Sequence, residues 1–406
     1  MADDAELTVL ALQRLDQYDY DNTARDPSGN SMFGLSRDTG ESIARATLRY
    51  RWSPSLTLES GMEGAYNTLK GASSFVQNGT LVPLPAANSR VGERRGEVFA
   101  QASWNISPQW ALEAGTRAEF SRISALGVPS RSLSFVKPRL LLTYAPRDWG
   151  QLRLRAEKVV GQLDFSNFVA NADFAGNGVS AGNLTLNPDQ RWQFEAAWEY
   201  HFWSRGALVL SAMNEQIRDL VDYVPIGTTG RDGPGNIDHA TNNEYRIDLT
   251  LPLDEGALDG LGPEGGTLKA SMKWDLASLT DPVTGRTRGI SDQRDKHIQF
   301  TYLQDVPAWN SSFELDLDTG GWSQASYRIN QVSWVRLYSP FVQFNWNYRP
   351  QPGLELNLQL INFLPYHLDI EQQNYAGPRD VAPWSQTLDT RTASQPRIHI
   401  QLRKTF

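Results

Sequence analysis

The 406-residue sequence predicts an all-β fold, an antiparallel transmembrane β-barrel of about 16 strands formed as one domain over residues 1–406. Three observations carry that expectation. Apolar and polar residues alternate with period two over segments of about ten residues, the length a tilted strand needs to cross a bilayer. Short turn signals alternate along the chain with long polar stretches. Aromatic residues, 11% of the chain, gather beside the short turns.

The alternation is clearest where Trp192, Phe194, Ala196, Trp198, Tyr200 and Phe202 share one face and Gln193, Glu195, Glu199 and His201 the other. Leu152 and Leu154 alternate with Arg153, Arg155 and Glu157. Val342, Phe344, Trp346 and Tyr348 alternate with Gln343, Asn345, Asn347 and Arg349, and Leu354, Leu356, Leu358 and Leu360 with Glu355, Asn357 and Gln359. A helix would instead place apolar residues at i, i+3 and i+4.

Tight turns are expected at Trp52–Ser55, Ile106–Gln109, Pro146–Gly150, Trp203–Gly206 and Arg349–Gly353, where Pro, Gly and Ser interrupt the pattern. Pro252–Gly266 reads as a longer turn on the same side. Polar loops are expected at about 15–41, 67–93, 161–189, 225–240 and 364–394. One rim with tight turns and another with long loops is the sequence form of an outer-membrane barrel. The pairs Tyr50 and Trp52, Trp104 and Trp110, Tyr144 and Trp149, Tyr200 and Trp203, and Tyr302 and Trp309 sit beside the short turns. Amphipathic rings favour the headgroup level, so these form a girdle at one membrane boundary.

Alternation alone suits a soluble β-sandwich as well as a membrane barrel. A sandwich of so many long strands would have edges to protect, whereas a closed barrel has none. A mean hydropathy of -0.46 and the lack of a long apolar run argue against a transmembrane helix but not against a barrel, in which alternate residues face lipid. Lipid contact is therefore expected for Trp192, Phe194, Trp198 and Tyr200, and a wet lumen for Glu113, Arg117, Glu119, Arg153, Arg155, Glu157, Glu195 and Glu199.

Composition excludes other classes. A net charge of -8 without a basic stripe speaks against nucleic acid, whose binders cluster Lys and Arg. Zero Cys removes disulfides, thiolate metal sites and cysteine nucleophiles. Gly178-Val179-Ser180-Ala181-Gly182 has the spacing of a serine-nucleophile elbow but lies between loops instead of between a strand and a helix. Gly260-Leu261-Gly262-Pro263-Glu264-Gly265 has dinucleotide-motif spacing, yet Glu255, Asp259 and Glu264 would repel a pyrophosphate, so it reads as a turn. His201, His239, His297, His367 and His399 form no metal-ligand pair at i, i+3 or i+4. Asp26–Asn30 and Asp281–Gly285 hold oxygen donors that suit Ca²⁺, but a solvated turn is the favoured reading of each. Neither an enzyme nor a resident cofactor is expected. Met1-Ala2-Asp3-Asp4 is acidic where a secretory signal would be basic, which suggests a mature or truncated chain.

Several phrases together resemble the barrel of TonB-dependent outer-membrane receptors. Phe135-Val136-Lys137-Pro138-Arg139-Leu140 is similar to a phrase that opens a strand in that family. Gly182-Asn183-Leu184-Thr185-Leu186-Asn187-Pro188 resembles its passage from an extracellular loop into the next strand. Glu59–Asn67 resembles its Gly-rich strand, and Leu402-Arg403-Lys404-Thr405-Phe406 its ending, with Phe406 as the assembly signal. The resemblance implies a bacterial outer-membrane receptor for a small nutrient, of the siderophore, cobalamin, metal or glycan class. It also implies outer-membrane lipid and the barrel-assembly machinery as partners, and TonB only if a plug is supplied. The family has a plug and 22 strands, so this chain reads as its C-terminal barrel portion, lacking plug and first strands and unable to import actively by itself. A passive porin-like channel is the alternative.

Overall fold

The computed structural model describes residues 4–26, 29–147, 149–173, 178–227, 230–260 and 262–405. The first strands are β1 (Ala5–Asp26), β2 (Gly29–Ser53), β3 (Leu56–Gln77), β4 (Thr80–Leu81), β5 (Asn88–Asn105), β6 (Trp110–Ala125), β7 (Val128–Tyr144) and β8 (Gln151–Val160). There follow β9 (Asn171–Asp173), β10 (Gly178–Ser180), β11 (Gln190–Phe202), β12 (Gly206–Ile226), β13 (Arg231–Pro252), β14 (Gly266–Thr280), β15 (Thr287–Arg288) and β16 (Lys296–Val306). The last are β17 (Ser311–Asp318), β18 (Trp322–Tyr327), β19 (Gln331–Leu337), β20 (Phe341–Gln351), β21 (Leu354–Ile361), β22 (Tyr366–Tyr375), β23 (Trp384–Ser394) and β24 (Arg397–Lys404).

The main sheet holds 18 strands, and setting aside the two-residue β4 and β15 leaves sixteen long ones. Each long strand pairs antiparallel with the next along the chain, an up-and-down meander from β1 to β24. Of the described residues, β1 pairs with β2 alone and β24 with β21 alone. All five expected tight turns connect consecutive long strands, and Pro252–Gly266 carries a short 3-10 turn at Gly256–Leu258.

Period-two alternation divides this sheet into an aromatic face and a polar face, because successive side chains of a strand point to opposite sides. Register carries the division from strand to strand. Glu97 lies opposite Glu119, Arg117 opposite Lys137, and Arg155 opposite Glu195, all on the polar face. On the aromatic face Trp110 lies opposite Tyr144, with ring centroids 4.3 Å apart, and Tyr144 and Trp149 are 6.4 Å apart. These rings border the tight-turn rim, as the girdle reading requires.

The opposite rim corrects four of the five loop expectations. Residues 15–41 belong almost wholly to β1 and β2, paired in register from Ala5 with Tyr50 to Asp26 with Gly29. Most of 67–93 continues β3 and β5, most of 225–240 continues β12 and β13, and 364–394 contains β22 and β23. The physical reason is common to all four. Beyond a bilayer the outer face of a hairpin meets water instead of lipid, and the inner face can pack beneath the loops, as at Phe33, Leu69, Val91 and Ile237, so the hydrophobic alternation fades or changes phase while backbone pairing continues. Only 161–189 is mainly irregular, with a 3-10 turn at Phe165–Phe168 and the small β9–β10 hairpin. Above the wall, β18, β19, β22 and β23 form a separate four-stranded sheet that joins two long-loop excursions through the β19–β22 pairing.

Candidate functional site

The eight charged residues singled out from the sequence all fall on the polar face, and register builds them into ion pairs. Arg155 Nη2 lies 2.6 Å from Glu195, and its Nη1 3.3 Å from Glu157. Arg153 pairs with Glu199 at 3.1 Å, while Arg117 donates to Glu97 at 2.9 Å. Lys137 bridges Glu97 and Glu119, the latter at 2.8 Å. Arg139 stands 3.7 Å from Glu113 and 3.5 Å from Glu157. Sequence reasoning missed Glu63, Arg95, Glu97, Lys137 and Arg139 as members. Glu63 accepts from Arg45 at 2.7 Å and from Arg95 at 3.0 Å. Like charges directly opposite one another are unfavourable, so Lys137 is what makes Glu97 opposite Glu119 tolerable.

The aromatic-face candidates lie together on the other side of β11. Trp192 stacks on Phe194 at 6.1 Å, and Trp198 on Tyr200 at 5.7 Å. Trp198 Nε1 also donates to the Trp149 carbonyl at 3.0 Å, which puts Trp198 at the level of the tight turns. Phe406 lies outside the described residues.

Toward the long-loop rim the polar face turns apolar. Phe33, Leu69, Val91 and Ile123, on β2, β3, β5 and β6, are buried against Phe168, Val169 and Leu186 of the 161–189 segment. Polar bonds seat the same segment. Arg131 donates to the carbonyls of Thr185 at 2.8 Å and Leu186 at 2.7 Å and to Asn187 Oδ1 at 2.8 Å. Ser89 Oγ donates to the Phe168 carbonyl at 2.9 Å. Gly182 makes the fold of the segment possible, since a Cβ there would stand 2.7 Å from the Phe168 carbonyl oxygen. Between this segment and the polar face of β1–β3 lies a recess of about 270 Å³ lined by Arg14, Arg37, Thr39, Asn67, Gln162 and Asp164, among others.

The remaining loops lock onto that segment through buried charges. Ala181 N–H donates to the Asp232 carbonyl at 2.8 Å. The Asp232 carboxylate accepts from Arg328 Nε at 2.9 Å and from Ile329 N–H at 2.6 Å. Arg379 donates to the Arg328 carbonyl at 2.6 Å and to Asp281 at 2.7 Å. Arg288 donates to Asp222 at 2.9 Å and stacks over the Tyr327 ring at 4.6 Å. Burial pulls the Asp281 carboxyl upward, but the hydrogen bonds from Arg379 and from the Thr284 and Val283 N–H groups outweigh it and hold it below the ordinary carboxylate range. At the tight-turn rim Glu255 is held at about 2 by hydrogen bonds from Ser204 Oγ, Arg205 and the Ser204 N–H.

These contacts also settle the chemical motifs. Asp281 is occupied by arginine and by its own turn amides, so Asp281–Gly285 is a capped turn and not a cation cradle. Ser180 lies in the β9–β10 hairpin with its hydroxyl 3.5 Å from the Asn171 carbonyl. Gly260–Gly265 belongs to the turn between β13 and β14, with Leu261 outside the described residues. Among the described residues no three His, Cys, Asp or Glu side chains gather as metal ligands.

Comparison with known proteins agrees with this architecture. The family model described as TonB dependent receptor-like, beta-barrel, matches residues 3–378. Among solved structures, the ferric yersiniabactin uptake receptor FyuA from Yersinia pestis superposes with a TM-score of 0.69 at 8% identity, over 100% of this chain and 60% of its own. The ferric-catecholate import receptor Fiu from K12 E. coli gives 0.66 at 11% identity, over 100% of this chain and 62% of its own. The copper transporter OprC gives 0.66 at 12% identity, covering 90% and 59%. The chain thus spans about 60% of the length of FyuA. No curated protein sequence matches it. With sixteen antiparallel strands, an aromatic girdle and a family match over nearly its whole length, the chain belongs to the TonB-dependent receptor β-barrel family of the bacterial outer membrane.

Proposed function

We propose that the chain forms the wall and mouth of an outer-membrane receptor that takes up a small nutrient of the siderophore, cobalamin, metal or glycan class. The observation that carries this reading is the 161–189 segment seated across the polar face, with the Arg14, Arg37 and Asn67 recess beneath it. A passive pore needs an open lumen, whereas a receptor needs a covered mouth that presents polar groups to its ligand. The family match and the seated segment both weigh against the porin-like alternative. In this reading Trp192, Phe194, Trp198 and Tyr200 face lipid, and Glu113, Arg117, Glu119, Arg153, Arg155, Glu157, Glu195 and Glu199 line the lumen. Phe406 serves the barrel-assembly machinery. TonB enters only through a plug domain, so these residues by themselves do not drive import, and no catalysis is involved.

The test is binding of a panel of ferric siderophores, cobalamin, copper and oligosaccharides to the purified chain, with planar-bilayer conductance measured in parallel. At least one ligand should bind and be lost in the Arg14→Ala/Arg37→Ala variant, with little steady conductance. A large constant conductance with no ligand bound would establish the porin reading instead.

A further inference from the structure

Where the polar face of β12, β13 and β14 passes beneath the loops, we propose a binding site for a hard divalent cation, Ca²⁺, held by Glu215, Asp275 and the side-chain amide oxygen of Asn242. Register brings the three together. Glu215 lies directly opposite Asn242, and Asp275 lies diagonally across from it on β14. All three are buried, at 5%, 4% and 8% accessible for Glu215, Asn242 and Asp275. The residue directly opposite Asn242 on β14 is Ala277, whose short side chain leaves room beside the amide. Toward the loops the same face continues as buried Ile217, Ala240 and Leu279, which shield the site from open water on that side.

Each carboxylate turns one oxygen outward and one inward. Outward, Glu215 Oε1 accepts from Gln193 at 2.8 Å and stands 3.6 Å from Arg191, while Asp275 Oδ2 stands 3.1 Å from Lys273. Inward, Glu215 Oε2 and Asp275 Oδ1 converge on one atom, Asn242 Nδ2, at 3.1 and 3.4 Å. Asn242 Oδ1 is buried with no hydrogen-bond partner, an expensive state for an acceptor. A half-turn of the amide puts that oxygen where the nitrogen stood, so that three oxygens face one point. Charge leads to the same place. Arg191 is shared between Glu215 and Asp189, and Lys273 between Asp275 and Glu244. Four carboxylates thus meet two cations, an excess of two negative charges at a buried site, where charge has to be paired or to coordinate a metal. Ligands that are all oxygen select a hard cation. The unequal spacings of 3.1 and 3.4 Å suit the irregular shell of Ca²⁺ better than the near-ideal octahedron of Mg²⁺, and water from the lumen supplies its remaining ligands. The same three strands lead to Asp222, Asp232 and Asp281, the acceptors that seat the loop cap, so the ion ties wall to cap.

The experiment dialyses chelator-stripped full chain in non-ionic detergent against radioactive Ca²⁺ and follows thermal unfolding in parallel. The parent should bind one more Ca²⁺ than the Glu215→Gln/Asp275→Asn variant, and only the parent should gain thermal stability as Ca²⁺ rises. Asn242→Asp adds a third inward carboxylate, so it should bind that ion about tenfold more tightly and unfold at a strongly Ca²⁺-dependent temperature, a result that stands even if the double variant misfolds. Equal binding by parent and double variant would overturn the proposal. An Asn242→Asp chain destabilised to the same extent with and without Ca²⁺ would overturn it too, since the amide would then serve only as a donor between two carboxylates. Displacement of the counted ion by equimolar Mg²⁺ would overturn the assignment to calcium.

Discussion

Arg155 in the wall and Arg328 in the loop cap are both arginines held by carboxylates, but their surroundings differ. The Arg155 side chain is 27% accessible and shares Glu157 and Glu195, themselves 24% and 29% accessible. Arg328 is 5% accessible and Asp232 4%. The Arg155 cluster is partly hydrated, so loss of Arg155 leaves Glu157 with Arg139 and leaves Glu195 open to water. Cap charges are dry, and loss of one leaves its partner buried and uncompensated. That part of the wall can therefore lose a charge at little expense in stability, whereas the Arg328–Asp232 pair of the cap cannot, and Lys137, Glu97 and Glu119 on the wall are closer to the cap in burial.

Asp232→Ala removes the acceptor for Arg328 and for the Ile329 N–H, and should cost the cap about 3–5 kcal/mol. Amide hydrogen exchange should speed up at Ala181 and Ile329 while β5 to β8 remain protected; uniform exchange throughout the chain would show that cap and wall are one cooperative unit. Leu140→Arg puts a charge on the aromatic face between Tyr144 and Val136. Equilibrium unfolding from lipid vesicles should register a loss of roughly 2–4 kcal/mol if that position is near the bilayer midplane.

Acidification offers a graded version of the first test. The Asp281 carboxyl is lower in the folded state than in the unfolded chain. Its contribution is therefore full above about pH 4 and is lost as the pH falls through the folded value. Comparing the parent with Asp281→Asn by cap hydrogen exchange, the gap should hold constant from neutral pH down to that point and then close. A gap that closes near neutral pH would contradict the assignment. Arg155→Ala should matter least, at or below about 1 kcal/mol, since Glu157 retains Arg139 nearby.

How much of this could be read from the sequence follows from which forces leave a periodic trace. Within the membrane span lipid imposes alternation, so β8, β11, β20, β21 and β24 were legible, as were the tight turns between strands. All eight wall candidates were assigned to one face on period two alone. Lys137 and Glu97 were missed because their importance comes from register across strands, which a single strand does not encode. The cap was illegible for a stronger reason. Arg328 and Asp232 lie 96 residues apart, and Arg379 and Asp281 98, with no periodicity connecting them. Likewise β23 read as loop because it is exposed along nearly all its length and has no hydrophobic face, and the short alternation of Tyr366, Leu368 and Ile370 in β22 stops at Gln372. Gly182 was noticed through a family-like phrase, but its role in bringing the 161–189 segment close against itself required the packing.

The central claim is that one face of this sheet meets lipid and the other an aqueous lumen, and β11 is the place to test it. The chain has no cysteine, so single Cys residues can be placed at Phe194, Glu195, Ala196 and Ala197 and labelled with a small fluorophore in vesicles. Brominated lipid should quench the labels at 194 and 196, and iodide those at 195 and 197. Quenching of all four positions by iodide, with none by brominated lipid, would show that the aromatic face is not in a membrane and would contradict the account.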